Sequence, residues 1–144
     1  GADQTFKSYG IEIVEFIKDG FDDTIIDNLR NTLLEKMGKE HIDFFNNLEI
    51  SFSTNKYLFV HAGIDPLKNL SDQTKKDYLW SRSNNFFHKD FMSKKIIVHG
   101  HTPVENITNH PYRINVDTGC YFSGNLSCVC LSDRNESRNF LSIL

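Results

Sequence analysis

Apolar residues recur at three- and four-residue spacing through the first third of the chain. Ile11, Val14 and Ile17 follow a Ser8-Tyr9-Gly10 turn, and Ile25, Ile26, Leu29, Leu33, Leu34 and Met37 run up to Gly38. That spacing lines one side of a helix, and a glycine just past the last periodic position ends it. Two amphipathic helices are therefore predicted, over 11–18 and 25–37, with a third over 39–47 that turns Ile42, Phe44, Phe45 and Leu48 toward the same core. Beyond Leu48 the apolar runs shorten to strand length. Strands are predicted over 49–53 and 57–60, joined as a hairpin through Thr54-Asn55-Lys56, whose asparagine tolerates a tight turn. Further strands are expected over 95–98, 112–116, 126–131 and 138–143, with one short helical turn over 75–80. Helices first and a mainly antiparallel sheet afterwards describe an α+β architecture. No repeat, low-complexity tract or Pro/Gly-rich linker interrupts the pattern, so residues 1–144 read as a single region.

Bulk properties narrow the function classes. With 39% apolar residues and twelve phenylalanines there is ample material for a core. A net charge of -3, with no long run of one sign, leaves no basic footprint for nucleic acid or an anionic membrane. No apolar stretch approaches the ~18 residues of a membrane span, and no signal pattern opens the chain. Three cysteines, Cys120, Cys128 and Cys130, are too few for a disulfide framework and point to a reducing, cytoplasmic setting. Cys128 and Cys130 alternate along a strand, share one face, and are expected to pack in the core. No Cys-x-x-Cys pair offers a zinc site.

Two strands end alike, in Phe59-Val60-His61-Ala62-Gly63 and in Ile97-Val98-His99-Gly100-His101-Thr102-Pro103. An apolar run anchors each strand, and a glycine is expected to let the chain turn where the imidazole leaves it. Neutral imidazole ligates divalent manganese, iron or zinc, and a strand end holds it rigidly. Between the two lies Leu79-Trp80-Ser81-Arg82, in which the indole is expected to anchor an arginine. A guanidinium presents a planar fork that binds two phosphate oxygens and stays charged at any relevant pH. Taken singly, each of these residues reads as well as an ordinary hydrogen-bonded or surface side chain.

Their order alters that balance. Tyr57 to Gly63 (YLFVHAG), Leu79 to Arg82 (LWSR), Ile97 to Val104 (IVHGHTPV) and Ile114 to Leu126 (INVDTGCYFSGNL) resemble the bacterial and phage branch of the serine/threonine protein phosphatases, calcineurin-like metallophosphoesterases. Gln4 to Gly10 resembles the segment after that family's third metal motif. The resemblance implies the carboxy-terminal half of a layered αββα sandwich. It also implies that His61 and His101 ligate the second of two divalent metals, that Arg82 grips the substrate phosphate, and that manganese is the ion, with iron, zinc or magnesium as alternatives. His99 is not covered by the motif and is expected to be structural or to support the ligands. Asp117 is expected to hydrogen-bond backbone amides, and Asp65 to shape a turn before Pro66. Tyr121 and Phe122 are expected at the rim, in contact with substrate or simply packed.

The family's motifs Gly-Asp-x-His-Gly, Gly-Asp-x-x-Asp-Arg-Gly and Gly-Asn-His-Glu are absent from these residues. They carry the first metal's ligands and the bridging aspartate. The chain begins Gly1-Ala2-Asp3, without methionine, and is expected to be a processed product, a trimmed chain or a fragment. On its own it is expected to be inactive and to bind no metal tightly, since two imidazoles make a poor cage for ions that prefer oxygen. Its expected partners are a phosphoprotein or phosphopeptide substrate, and either the missing amino-terminal half or a swapped copy of itself covering open strand edges. A diadenosine tetraphosphate hydrolase of the same fold, or a non-catalytic phosphate-binding module, are the alternatives.

Overall fold

A computed structural model of the chain describes residues 2–18, 20, 22–82, 94–134 and 137–143. It contains two compact units, Gly1–Leu48 and Glu49–Leu144.

The first unit is helical. Helix α1 (Ala2–Ser8) leads into the single turn α2 (Ile13–Phe16), shorter than the 11–18 helix expected, and then into α3 (Asp23–Asn46). Asp22 caps α3 by accepting the Ile25 amide, which relieves one of the helix's orphan donors. Leu29 is buried, with Ile25, Leu33 and Met37 half-buried along the same side, as four-residue spacing requires. Gly38 (φ 72°, ψ 162°) breaks α3 into two pieces. The glycine that the periodicity marks as a stop is therefore a real interruption. Beyond it, Tyr9 Oη and His41 Nδ1 meet at 2.7 Å, tying the end of α1 to the second piece.

The second unit is built on a five-stranded sheet in the order β1-β2-β3-β5-β4, from β1 (Ser51–Ser53), β2 (Tyr57–Val60), β3 (Ile96–His99), β4 (Thr108–Asn109) and β5 (Arg113–Asn115). β1 and β2 form the hairpin read from the sequence. Three of the five strand pairings among the described residues are antiparallel, but the five-stranded sheet itself is mixed rather than mainly antiparallel. Its three central strands, β2, β3 and β5, run parallel, and only β1 and β4 at the edges are antiparallel. Tyr57-Leu58-Phe59-Val60 and Ile96-Ile97-Val98 are continuously apolar, as strands covered on both faces must be, a pattern that fits either direction of pairing.

Both faces are indeed covered. On one, Leu58 and Ile97 pack with Ile64, and with Leu70 and Tyr78 from the connection that carries helix α4 (Lys75–Trp80). On the other, Tyr57, Val98 and Ile114 meet Val129 and Leu131 of a separate ribbon, β6 (Leu126–Leu131) paired antiparallel with β7 (Arg138–Ile143). Ile64, Ile97 and Ile114 are wholly inaccessible, a burial that contributes about 1.5–3 kcal/mol each. Asp133, at the ribbon's turn, accepts hydrogen bonds from the Thr54 hydroxyl (2.8 Å) and the Asn55 (3.1 Å) and Lys56 (3.4 Å) amides. It thereby fastens the ribbon to the β1–β2 hairpin.

The cysteine expectation is also corrected. Cys128 and Cys130 do share a face of β6, but it is the outward face, shared with Leu126, Leu141 and Ile143, and all three cysteines are exposed. Alternation along a strand identifies two faces without saying which one is covered. Among the described residues, no helix is long and apolar enough to cross a membrane.

Candidate functional site

Parallel pairing decides where the chemistry sits. β2, β3 and β5 end at the same edge of the sheet, with Phe59 beside Val98 and His99 beside Asn115, so the residues that follow each strand emerge together. The carboxyl ends of parallel strands are where α/β sheets place their ligands. The Gly100 amide donates to the His61 carbonyl (2.9 Å) and the Val116 amide to the His99 carbonyl (3.0 Å), which continues the ladder into the loops.

His61 Nε2 lies 2.9 Å from His101 Nδ1, with ring centroids 4.7 Å apart. Arg82 reaches the same place from α4. The Ala62 amide donates to the Tyr78 carbonyl (2.7 Å) and Ser81 Oγ to the Ile64 carbonyl (2.8 Å), so the segment just after His61 docks the end of the helix. Arg82 Nε then donates to His101 Nε2 at 3.3 Å. A guanidinium cannot accept, so His101 Nε2 is the acceptor, and in the neutral ring the proton sits on Nδ1 and points to His61 Nε2. Burial, and then the neighbouring His61 and Arg82, hold the His101 pKa below its ordinary value, which favours that neutral ring.

The three residues expected at the site are thus together. Their supports differ from expectation in two respects. Gly63 does turn the chain beyond β2 with φ 146°, but beyond β3 the left-handed residue is His101 itself, at φ 69°. Histidine tolerates this region better than branched residues do. Gly100 serves a different need, because a Cβ there would lie 3.1 Å from Asp117 Cβ. Trp80 is not a buried anchor either. It is 65% exposed, with its ring edge-on to His101 at 5.7 Å.

His99 is buried in the interior, where it is 2% exposed and Nδ1 donates to the Gly100 carbonyl (3.1 Å). Burial pushes its pKa down to about 4. Asp117 accepts the Gly119 amide (2.9 Å), and Asp65 the Leu67 amide (3.0 Å), the backbone-shaping roles read for both. Tyr121 and Phe122 are 89% and 66% exposed, with their rings edge-on to each other at 4.8 Å.

Two supporting residues were not singled out by sequence reasoning. Asn115, wholly buried, donates through Nδ2 to the Thr102 carbonyl (2.8 Å) and accepts the Asp117 amide through Oδ1 (3.0 Å), holding two of the loops around the cluster. A polar residue inside the run Ile114-Asn115-Val116 was a usable signal, since a buried amide must find partners. Ser81, which seats the arginine, carried no signal.

No protein-family model and no curated protein matches the chain.

The fit to a divalent ion can be judged from the donors. Two nitrogens each about 2.0–2.1 Å from one cation, at right angles, would stand about 3 Å apart, close to the spacing of this imidazole pair. Yet no three His, Cys, Asp or Glu side chains among the described residues converge as a shell. The donors fit one edge of a coordination sphere, and hard oxygen-seeking ions need carboxylates that this pair does not bring.

Proposed function

We propose that this chain is the carboxy-terminal part of a metal-dependent serine/threonine or dual-specificity phosphatase that hydrolyses phosphate monoesters. The observation that carries this reading is the convergence of His61, His101 and Arg82 at one strand-end edge, through contacts of 2.9 Å and 3.3 Å. Three residues separated by 21 and 19 positions are brought together by a parallel crossover, and the ordered motifs lead to the same three. When bound, the metal pair supplies an activated water and Lewis acidity toward the phosphoryl oxygens.

The chain's own residues supply ligation and orientation. His61 Nε2 and His101 Nδ1 are the atoms that would hold an ion. His101 would hold an ion through Nδ1 only in the tautomer that carries its proton on Nε2, where it no longer accepts from Arg82. A guanidinium carries five N–H donors, so in either tautomer of His101 Arg82 keeps a fork to offer a phosphate. Asn115 and Asp117 keep the loop that carries His101 in place.

The test is an assay of the parent protein, this chain joined to whatever is encoded upstream of it, on a chromogenic aryl phosphate with and without Mn2+. Metal-dependent phosphate release that falls at least a hundredfold in His61→Ala and Arg82→Ala variants is expected. Release that is absent, or indifferent to metal and to both substitutions, removes the assignment.

A further inference from the structure

Beside Arg82 the surface opens into a cavity of about 490 Å³ whose walls include Asp65, Lys68, Lys76, Asp77, Trp80 and Arg82. Its charges are not equivalent. Lys68 is held by Asp77 at 2.8 Å and by Asp65 at 3.5 Å, so its charge is committed to them and the three together keep one net negative charge. Among the described residues Lys76 is exposed and has no ion pair, and Arg82 hydrogen-bonds the uncharged His101 nitrogen. Lys76 and Trp80 stand one helical turn apart on α4 and so share a face, with the exposed indole lining the cavity between Lys76 and Arg82.

Resting on the reading of Arg82 as the phosphate-gripping residue, we propose that this cavity selects phosphopeptides bearing an acidic residue close to the phosphorylated one. The phosphoryl group lies on Arg82, the intervening peptide crosses the Trp80 indole, and the flanking carboxylate pairs with Lys76. A cavity of this volume is about 8 Å across, and extended peptide advances about 3.4 Å per residue, which places the acidic residue two or three positions away. The charge count favours a single extra carboxylate over a polyphosphate chain. One uncommitted lysine answers one anion, whereas several phosphates would lie against Asp65 and Asp77 with no cation left to offset them.

Trp80 is the only tryptophan in the chain and lines the cavity, so its fluorescence reports occupancy directly. The chain is titrated with inorganic phosphate, with a phosphoserine peptide carrying glutamate two or three positions from the phosphoserine, with the same peptide carrying lysine there, and with diadenosine tetraphosphate. Phosphate binding is followed separately by the imidazole NMR signals of His101. The glutamate peptide is expected to bind about fivefold tighter than the lysine peptide, the reach of one exposed ion pair. Lys76→Ala and Lys76→Glu are expected to abolish and reverse that preference while inorganic phosphate binds as before. Equal affinity for the two peptides with phosphate binding intact overturns the selectivity and leaves the phosphate site standing. Tighter binding of the dinucleotide than of either peptide overturns the peptide class. Loss of all phosphate binding overturns the reading of Arg82 itself, and the selectivity with it.

Discussion

Replacing Asp77 with alanine removes the group that starts α4, the helix that delivers Arg82. Six residues are too few to hold a helix by propagation alone, so its ends must be fastened. Asp77 does this with one carboxylate, which accepts the Thr74 amide (2.7 Å), the Thr74 hydroxyl (2.7 Å) and the Lys68 ammonium (2.8 Å). Thr74 Oγ1 in turn accepts the Asp77 amide (3.3 Å), completing a capping box. Loss of a cap costs about 1 kcal/mol, and loss of a partly exposed ion pair adds up to about 1 kcal/mol, so Asp77→Ala is expected to destabilise the sheet-containing unit by about 1–2 kcal/mol. For a unit of about 100 residues that lowers the melting temperature by roughly 5–12 °C.

The same residue carries a pH signature. The Lys68 ammonium, followed by the Thr74 amide and hydroxyl, holds the Asp77 pKa at about 2. A folded pKa below the unfolded value of about 3.9 means that the contribution is complete above the unfolded pKa and lost as pH falls through the folded one. Urea unfolding of wild type and Asp77→Ala should therefore differ fully at pH 7 and by about half as much of the ionisation-dependent part at pH 3. Asp77→Asn keeps the shape and loses the charge, and should show little of that pH dependence. A gap below about 0.5 kcal/mol at pH 7, or one that is the same at pH 7 and pH 3, would refute the claim that an ionised carboxylate secures this helix.

Other positions give equally direct tests. Gly100→Ala places a methyl 3.1 Å from Asp117 Cβ, and Asp117 is held by Asn115, Gly119 and Val104, so a net loss of about 0.5–2 kcal/mol in urea unfolding is expected; unchanged or raised stability contradicts it. Burial disfavours the charge on Asp133, but the hydrogen bonds from Thr54, Asn55 and Lys56 outweigh it and hold its pKa below the ordinary value. Its contribution is thus present above about pH 4 and lost on acidification, and Asp133→Ala should speed hydrogen exchange of the Asn55 and Lys56 amides at pH 7, whereas unaltered exchange rules the latch out. Ellman's reagent should titrate all three cysteines in native buffer, and protection of Cys128 and Cys130 until denaturant is added would restore them to a core.

What was legible in the sequence was local. Four-residue spacing at Ile25, Leu29, Leu33 and Met37 settles which side of α3 faces inward, and Gly38 where it breaks, because helix periodicity and glycine's tolerance of positive φ act within a few residues. β6, β7 and α4 fall where the patterns place them for the same reason. His61, Arg82 and His101 could be nominated from their motifs, but each alone looked like an ordinary surface or edge residue.

Strand direction and layer coverage depend on contacts between distant segments, and there the tertiary structure decided. A four-residue apolar run reads identically in parallel and antiparallel pairs, yet only parallel pairing of β2 with β3 brings His61 and His101 to one edge. Alternation put Cys128 and Cys130 on one face without showing that β6 turns its other face, through Val129 and Leu131, to the sheet. Trp80 has the composition of an anchor, but the docking of Ser81 on Ile64 leaves its ring in the open beside Arg82. Local pattern limits what each segment can form, and the free energy of covering both faces of the central strands selects how those segments meet.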